Sequence, residues 1–137
     1  MAETAQTGLV GALWYQGRMR DYRTLVVWQR AHQVVLQTYR LTKDLPPDER
    51  FGLKAQMRRS GVSIASNIAE AAGRGSDPDA ARLLSIAAGS TSELQYQLEL
   101  SYELGLLNET VHVTLDLAHE TKRMLHSLIE KWSTRAG

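Results

Sequence analysis

Three short breaks divide most of the chain into four segments in which apolar residues recur every three or four positions. The breaks are Pro46-Pro47, the glycine-rich stretch 73–76, and the stretch from Gly105 to Asn108. Proline disfavours helix at the residue before it, glycine ends helices, and asparagine caps them. The spacing within the segments is that of amphipathic α-helices. The pattern therefore predicts an all-α fold with four helices.

The short connections predict the arrangement of these helices. Helices joined by a few residues pack as antiparallel neighbours, so we expect an antiparallel, up-down-up-down four-helix bundle. The helices are predicted over about Tyr22–Lys43, from Pro47 to about Ala72, from an Asp77 N-cap to Gly105, and beyond Asn108. The core seam of the first helix is predicted to be Leu25, Trp28, His32, Val35 and Tyr39.

The first twenty residues differ from the rest of the chain. They contain three glycines and no sustained periodicity, so we expect residues 1–20 to be a flexible leader and residues 21–137 to be the bundle domain. Met19 directly precedes the organised segment and is an alternative start.

Composition narrows the class of protein. Hydrophobic residues make up 43% and charged residues 23% of the chain, as in ordinary soluble domains. No apolar run reaches the roughly 20 residues of a membrane span, and no secretory signal is visible. There are no cysteines, which excludes disulfides and thiolate metal sites. We therefore expect a cytoplasmic protein without a membrane partner.

Charge is unevenly distributed although the net charge is only +1. Residues 1–75 contain eleven Lys/Arg against six Asp/Glu, and residues 76–137 contain five against nine. Such asymmetry is typical of a basic face that binds a polyanion, or of halves that pair with each other or with a neighbouring subunit.

The second helix carries the densest group of basic residues. Lys54, Arg58 and Arg59 lie close together near its start and are candidates for phosphate contacts. The alternative is an internal or inter-subunit network in which Glu93 of the third helix accepts from an arginine. A polar stripe continues along the second helix through Ser63, Ser66, Glu70 and Arg74, the last two being spaced to form an ion pair.

The sequence matches neither the ligand pattern of a di-iron bundle nor the motif of a serine nucleophile. A di-iron bundle needs Glu-x-x-His pairs on two helices, but Glu109-x-x-His112 and the similar Asp116-x-x-His119 both lie on the fourth. The helical serines lack an adjacent histidine or a nucleophile elbow. We therefore predict a non-enzymatic protein without metal or cofactor.

Several segments resemble a known family. They are residues 22–29, 53–70, 73–74 and 92–98, and their order and spacing are similar to those of the bacterial four-helix-bundle proteins encoded by intervening sequences in large-subunit ribosomal RNA genes. The resemblance implies a cytosolic homopentameric ring. A related branch, the accessory proteins of diversity-generating retroelements, binds nucleic acid through basic residues.

Carried over by position, the resemblance makes Arg58, Arg59 and Arg74 phosphate-contacting candidates. It also identifies Ser66, Asn67 and Glu70 as signature polar residues, and with Ser63 and Glu93 they form the predicted polar network.

Two functional hypotheses remain open at this point. The protein is a weak RNA- or DNA-binding accessory factor, or it is a protein-interaction scaffold whose polar stripe on the second helix stabilises the oligomer. Additional apolar residues on the first and third helices favour a homo-oligomer in both cases.

Overall fold

The computed structural model describes residues 20–74 and 76–134, and all regular structure within these ranges is helical. Four α-helices are present: α1 (Val26–Thr42), α2 (Leu53–Ala72), α3 (Asp77–Glu103) and α4 (Val111–Thr134). Two short 3-10 turns, Tyr22–Thr24 and Pro47–Glu49, precede α1 and α2. The predicted all-α class with four helices is confirmed. Apart from Arg20, the predicted leader lies outside the described residues.

The helices form a closed antiparallel bundle. Each helix contacts the two helices adjacent to it around the bundle, and α1 contacts α4. Later residues of α2 pair with earlier residues of α3, as expected for antiparallel helices. Met57 accepts a hydrogen bond from Ser101 at 3.7 Å, and Ser63 is bonded to Ser90 at 2.7 Å. The same reversal relates α1 to α4, where Thr114 bonds Gln37 at 2.8 Å and Arg30 bonds Glu120 at 3.0 Å.

The core face of α1 differs from the predicted seam. The buried residues of this helix are Val27, Ala31, Val34, Thr38 and Thr42. The predicted seam lies about one position away and is only half-buried, or exposed at Tyr39.

Aromatic packing explains why the predicted seam stays outside the core. The ring of Trp28 stacks on His32 at 4.9 Å and meets Tyr22 edge-on at 4.9 Å, so these rings form a layer at the side of the bundle. Small residues such as Ala31 and Thr38 face the centre instead, because they let α1 approach its neighbours closely.

Two helix starts also differ from the prediction. The second helix begins at Leu53 rather than Pro47, because Gly52 has a non-helical backbone (φ −98°, ψ −117°). The carboxylate of Glu49 then accepts from the Leu53 N–H at 3.2 Å. The third helix is capped by Ser76 rather than Asp77, since the Ser76 hydroxyl accepts from the backbone N–H of Asp79.

The predicted helix stops are confirmed. Gly73 is the C-cap of α2, and Gly105 follows α3 with a φ of 77°, a left-handed conformation that favours glycine. The backbone N–H of Leu106 donates to the carbonyl of Ser101 at 2.9 Å, which completes a Schellman motif at the end of α3. Asn108 Oδ1 accepts from the backbone of Thr110 at 2.9 Å just before α4.

Arg20 ties three helix ends together. Its backbone N–H bonds the carbonyl of Ala72 at 2.6 Å, and its guanidinium reaches the buried carboxylate of Asp77 at 3.2 Å. The same guanidinium lies 4.0 Å above the ring of Trp132. The ends of α2 and α4 and the start of α3 are therefore held at one end of the bundle. Among the described helices, none combines the length and the apolar character needed to cross a membrane.

Candidate nucleic-acid interface

The fold separates charge by helix pair. Residues 20–74, which contain α1 and α2, carry ten Lys/Arg against five Asp/Glu. Residues 76–134, which contain α3 and α4, carry four against nine. Because α1 is adjacent to α2 and α3 is adjacent to α4, one side of the bundle is basic and the opposite side is acidic.

The four basic candidates of the second helix fall in two places. Lys54, Arg58 and Arg59 lie within the first two turns of α2, whereas Arg74 follows its C-terminal end. Sixteen residues of α-helix separate Arg58 from Arg74 by about 24 Å, so a single phosphate cannot contact both.

Arg58 is engaged within the protein. Its Nε donates to Oγ1 of Thr42 at 2.9 Å, and its terminal nitrogen donates to the carbonyl of Tyr39 at 3.3 Å. The guanidinium also lies 4.3 Å from the centre of the Tyr39 ring. Tyr39 belongs to the last turn of α1, where backbone donors are lacking. Its carbonyl also accepts from the Thr42 hydroxyl at 3.4 Å, and Arg58 adds a second donor that caps this helix end.

Lys54 and Arg59 are more available for phosphate contacts. Lys54 makes one long hydrogen bond, from Nζ to the carbonyl of Lys43 at 3.5 Å. Arg59 is exposed, and it makes no hydrogen bond or ion pair with the rest of residues 20–74 and 76–134. These two side chains are therefore the candidates on α2 that can turn toward an external phosphate.

Arg74 forms the predicted ion pair with Glu70. Both side chains are about half exposed, so the pair is solvated and adds little to stability. The pair also places a carboxylate beside the arginine, which weakens the attraction of Arg74 for a phosphate.

The predicted polar network divides between the interior and the surface. Ser63 bonds Ser90 of α3 at 2.7 Å, and the Asn67 amide donates to the carbonyl and the hydroxyl of Ser63 at 2.8 and 3.1 Å. These three residues join α2 to α3 within one protomer. Ser66 and Glu93 are exposed, and neither bonds another side chain of the described residues.

Two residues of this region are not singled out by the sequence: Ser90 of α3, and Phe51 on the basic side. Ser90 follows the small residues Ala87, Ala88 and Gly89, a setting that is compatible with a hydroxyl pair between helices. Phe51, the single phenylalanine of the chain, is 86% exposed in the turn before α2. The signal was an aromatic residue directly after Arg50 in a proline-containing connection.

The Asp116/His119 pair lies on α4, whereas in the Glu109/His112 pair only His112 does, because α4 begins at Val111. No group of three or more His, Asp or Glu side chains within residues 20–74 and 76–134 is placed to hold a metal ion. Glu109 accepts instead from the hydroxyl of Tyr102 at 3.0 Å. This hydrogen bond, and the negative charge of Glu109, raise the pKa of Tyr102.

Comparison with known proteins agrees with this architecture. The family model for the 23S rRNA-intervening sequence protein matches residues 23–127. Among curated proteins no significant match was found.

A crystal structure supports the same assignment. It is the 1.70 Å structure of a protein of unknown function from the S23 ribosomal protein family of Bacteroides thetaiotaomicron. It superposes with a TM-score of 0.70 at 28% sequence identity, over 75% of this chain and 97% of that chain. From the matched residues and the shared fold we conclude that the chain belongs to the family of 23S rRNA-intervening sequence proteins.

Proposed function

We propose that this protein is a non-enzymatic, cytoplasmic accessory factor that binds RNA or DNA weakly through the basic side formed by α1 and α2. The observation that carries the proposal is the separation of charge between the two helix pairs. A polyanion is attracted to the side with excess Lys/Arg and repelled by the side with excess Asp/Glu, so the bundle presents one preferred face.

Weak binding follows from the small number of available cations. Arg58 and Arg74 are engaged with Thr42 and Glu70, which leaves Lys54 and Arg59 as the principal phosphate contacts on α2. Phosphate contacts of this kind position a nucleic acid without reading its sequence. Few contacts also mean a modest dependence of affinity on salt for a single protomer.

Assembly of several copies would strengthen such binding. Apolar side chains remain exposed on the acidic side, including Ile86 (44%), Tyr96 (64%) and Val113 (63%). We propose that these residues contribute to contacts between copies, and that the oligomer is the pentameric ring implied by the family resemblance. Repeating the basic side around a ring would raise the affinity for a long polyanion through multivalency.

The same exposed apolar residues favour the second candidate function, a protein-interaction scaffold without a nucleic-acid role. In this alternative the exposed polar residues Ser66 and Glu70 of α2 would face a neighbouring copy and stabilise the oligomer. The nearly balanced net charge of +1 is consistent with this alternative.

A salt series with matched charge reversals tests the proposal. The test variant is Lys54→Glu/Arg59→Glu on the basic side, and the control is Arg123→Glu/Lys131→Glu, two exposed residues on α4. Both variants change the net charge equally. We expect wild-type affinity for RNA and DNA to fall with salt, and the test variant alone to lose about one unit of log–log salt slope per lost phosphate contact.

Oligomer mass, measured by light scattering on the same samples, separates the two candidates. Binding that falls in the test variant while the mass is unchanged supports the accessory role. An equal loss of affinity in the test variant and the control variant contradicts a nucleic-acid interface confined to the basic side. Absence of binding at low salt from an intact oligomer contradicts the accessory role and leaves the scaffold.

A further inference from the structure

Phe51 stands out on the surface of the basic side. It lies in the turn between the Pro47–Glu49 3-10 turn and α2, and 86% of it is exposed. Its ring therefore contributes almost nothing to the core. The guanidinium of Arg50 lies 5.4 Å from the centre of the ring, so a cation is already placed against the aromatic face.

The ring borders a cleft of about 730 Å³. Apolar side chains form part of the lining, and cationic side chains form the rest. Leu45 and Ala55 are among the apolar lining residues, and Arg50, Lys54 and Arg58 are the cationic ones. Clefts of this size accommodate small organic groups, and a mixture of apolar surface with a few charged groups is typical of such sites.

The surroundings of the cleft are basic. Residues 39–59 contain six Lys/Arg against three Asp/Glu. One of the three acids, Glu49, uses its carboxylate to accept from the N–H of Leu53. Asp44 and Asp48 are exposed on the connection, but they do not line the cleft.

The backbone that carries Phe51 is held in place. Pro46 and Pro47 restrict the connection, and the N–H of Gly52 bonds the carbonyl of Glu49 at 3.1 Å. An aromatic ring on a restrained backbone loses little conformational freedom when a second ring stacks on it.

We propose that Phe51 is a stacking platform for an unpaired base of single-stranded RNA or DNA, with Arg50 and Lys54 contacting the adjacent phosphates. This inference rests on the proposed function and specifies its ligand. Exposed aromatic rings among cations bind single strands, because every base has a face that can stack. A duplex hides these faces between its own base pairs, so the platform favours single strands over duplexes.

The test compares three probes of equal length: an unstructured single strand, a duplex and an abasic single strand. The single strand and the duplex are used as both RNA and DNA, and the abasic strand as DNA. Phe51→Ala and Phe51→Leu remove the aromatic face, and Phe51→Tyr retains it. Since Phe51 is exposed, we expect all three variants to keep the thermal midpoint of the wild type. We expect Phe51→Ala and Phe51→Leu to weaken single-strand binding by about 5- to 150-fold per stacked base.

The controls define the remaining expected results. Phe51→Tyr should bind single strands like the wild type. Duplex and abasic binding should be the same for all Phe51 variants, because both probes contact only the cations. Comparison of the RNA and DNA strands then shows which polymer the protein prefers.

The outcomes distinguish failure of the platform from failure of the proposed function. If Lys54→Glu/Arg59→Glu weakens binding while Phe51→Ala does not, the platform is wrong and the basic interface stands. If no polynucleotide binds the wild type at low salt, both proposals are wrong. If Phe51→Ala changes the oligomer mass instead, the ring is a contact between protein chains, which overturns the platform.

Discussion

Arg58 donates a hydrogen bond from Nε to Oγ1 of Thr42 at 2.9 Å, across the interface between α2 and α1. The Thr42 hydroxyl in turn donates to the carbonyl of Thr38 at 2.7 Å, and both threonines are fully buried. A residue that the sequence marks as a phosphate contact therefore completes a polar chain inside the bundle. Removal of the Arg58 side chain would take away the donor to the buried Thr42 hydroxyl and would leave the Tyr39 carbonyl with the 3.4 Å contact from that hydroxyl.

We predict that Arg58→Ala lowers the free energy of unfolding by about 1–3 kcal/mol, because a charge-assisted hydrogen bond to a buried group is lost. The neighbouring Arg59→Ala, at an exposed position, should change it by no more than about 0.5 kcal/mol. Arg58→Lys should recover only part of the loss, since an ammonium lacks the planar fork of donors. Urea unfolding measures all three, and equal midpoints for the two alanine variants would refute the role of Arg58.

A second prediction compares adjacent valines of α1. Val34 is fully buried and Val35 is half-buried, although the predicted seam placed Val35 at the core. Val34→Ala should lower the free energy of unfolding by about 2 kcal/mol, from lost methyl burial and the remaining cavity. Val35→Ala should cost less than about 1 kcal/mol. A larger loss of stability for Val35→Ala than for Val34→Ala in thermal or urea unfolding would show that α1 is rotated about its axis.

A third prediction concerns the contact of α2 with its neighbours at Gly61. A Cβ added here would lie 3.9 Å from Leu94, Thr38 and Val35, which is ordinary van der Waals contact. Gly61→Ala should therefore be tolerated and should stabilise the protein by up to about 1 kcal/mol, the difference in helix propensity. Gly61→Leu should destabilise it by about 1–3 kcal/mol through overpacking. A lower melting temperature for Gly61→Ala would show that the neighbouring atoms leave no room for a Cβ at this position.

A fourth prediction concerns pH. The hydrogen bond to Glu109 and the charge of that carboxylate raise the pKa of Tyr102 above its ordinary value of 10.0. Because the folded-state pKa is raised, the associated stability is present below the ordinary pKa and is lost as pH rises through the folded value. Glu109→Gln should move the pKa of Tyr102 back toward 10.0. The absorbance of tyrosinate as a function of pH measures this pKa, and Tyr102→Phe identifies the part of the absorbance that comes from Tyr102. An unchanged titration in Glu109→Gln would contradict the hydrogen bond between Tyr102 and Glu109.

The number and order of the helices, and the residues that end them, could be predicted from the sequence. These features depend on local chemistry: the fixed φ of proline, the left-handed backbone at Gly105, and the periodic spacing of apolar residues. The Glu70–Arg74 pair was predictable for the same reason, since residues four apart on a helix are neighbours.

Tertiary structure alone decided which face of α1 enters the core. Hydrophobicity favoured the large side chains of Trp28 and Tyr39, but close approach of the helices selected Ala31 and Thr38. The predicted seam failed because periodicity identifies a stripe of large residues, whereas packing in a bundle selects the residues that fit between neighbouring backbones.

The candidate site shows the same division. The basic character of the second helix, and the division of the chain into a basic and an acidic half, can be read from the order of the residues. Only the fold decided that Arg58 is bound to Thr42 on another helix and that Phe51 lies exposed beside a cleft. The partners of a side chain lie on other segments of the chain, so its availability for a ligand depends on contacts that local sequence does not encode.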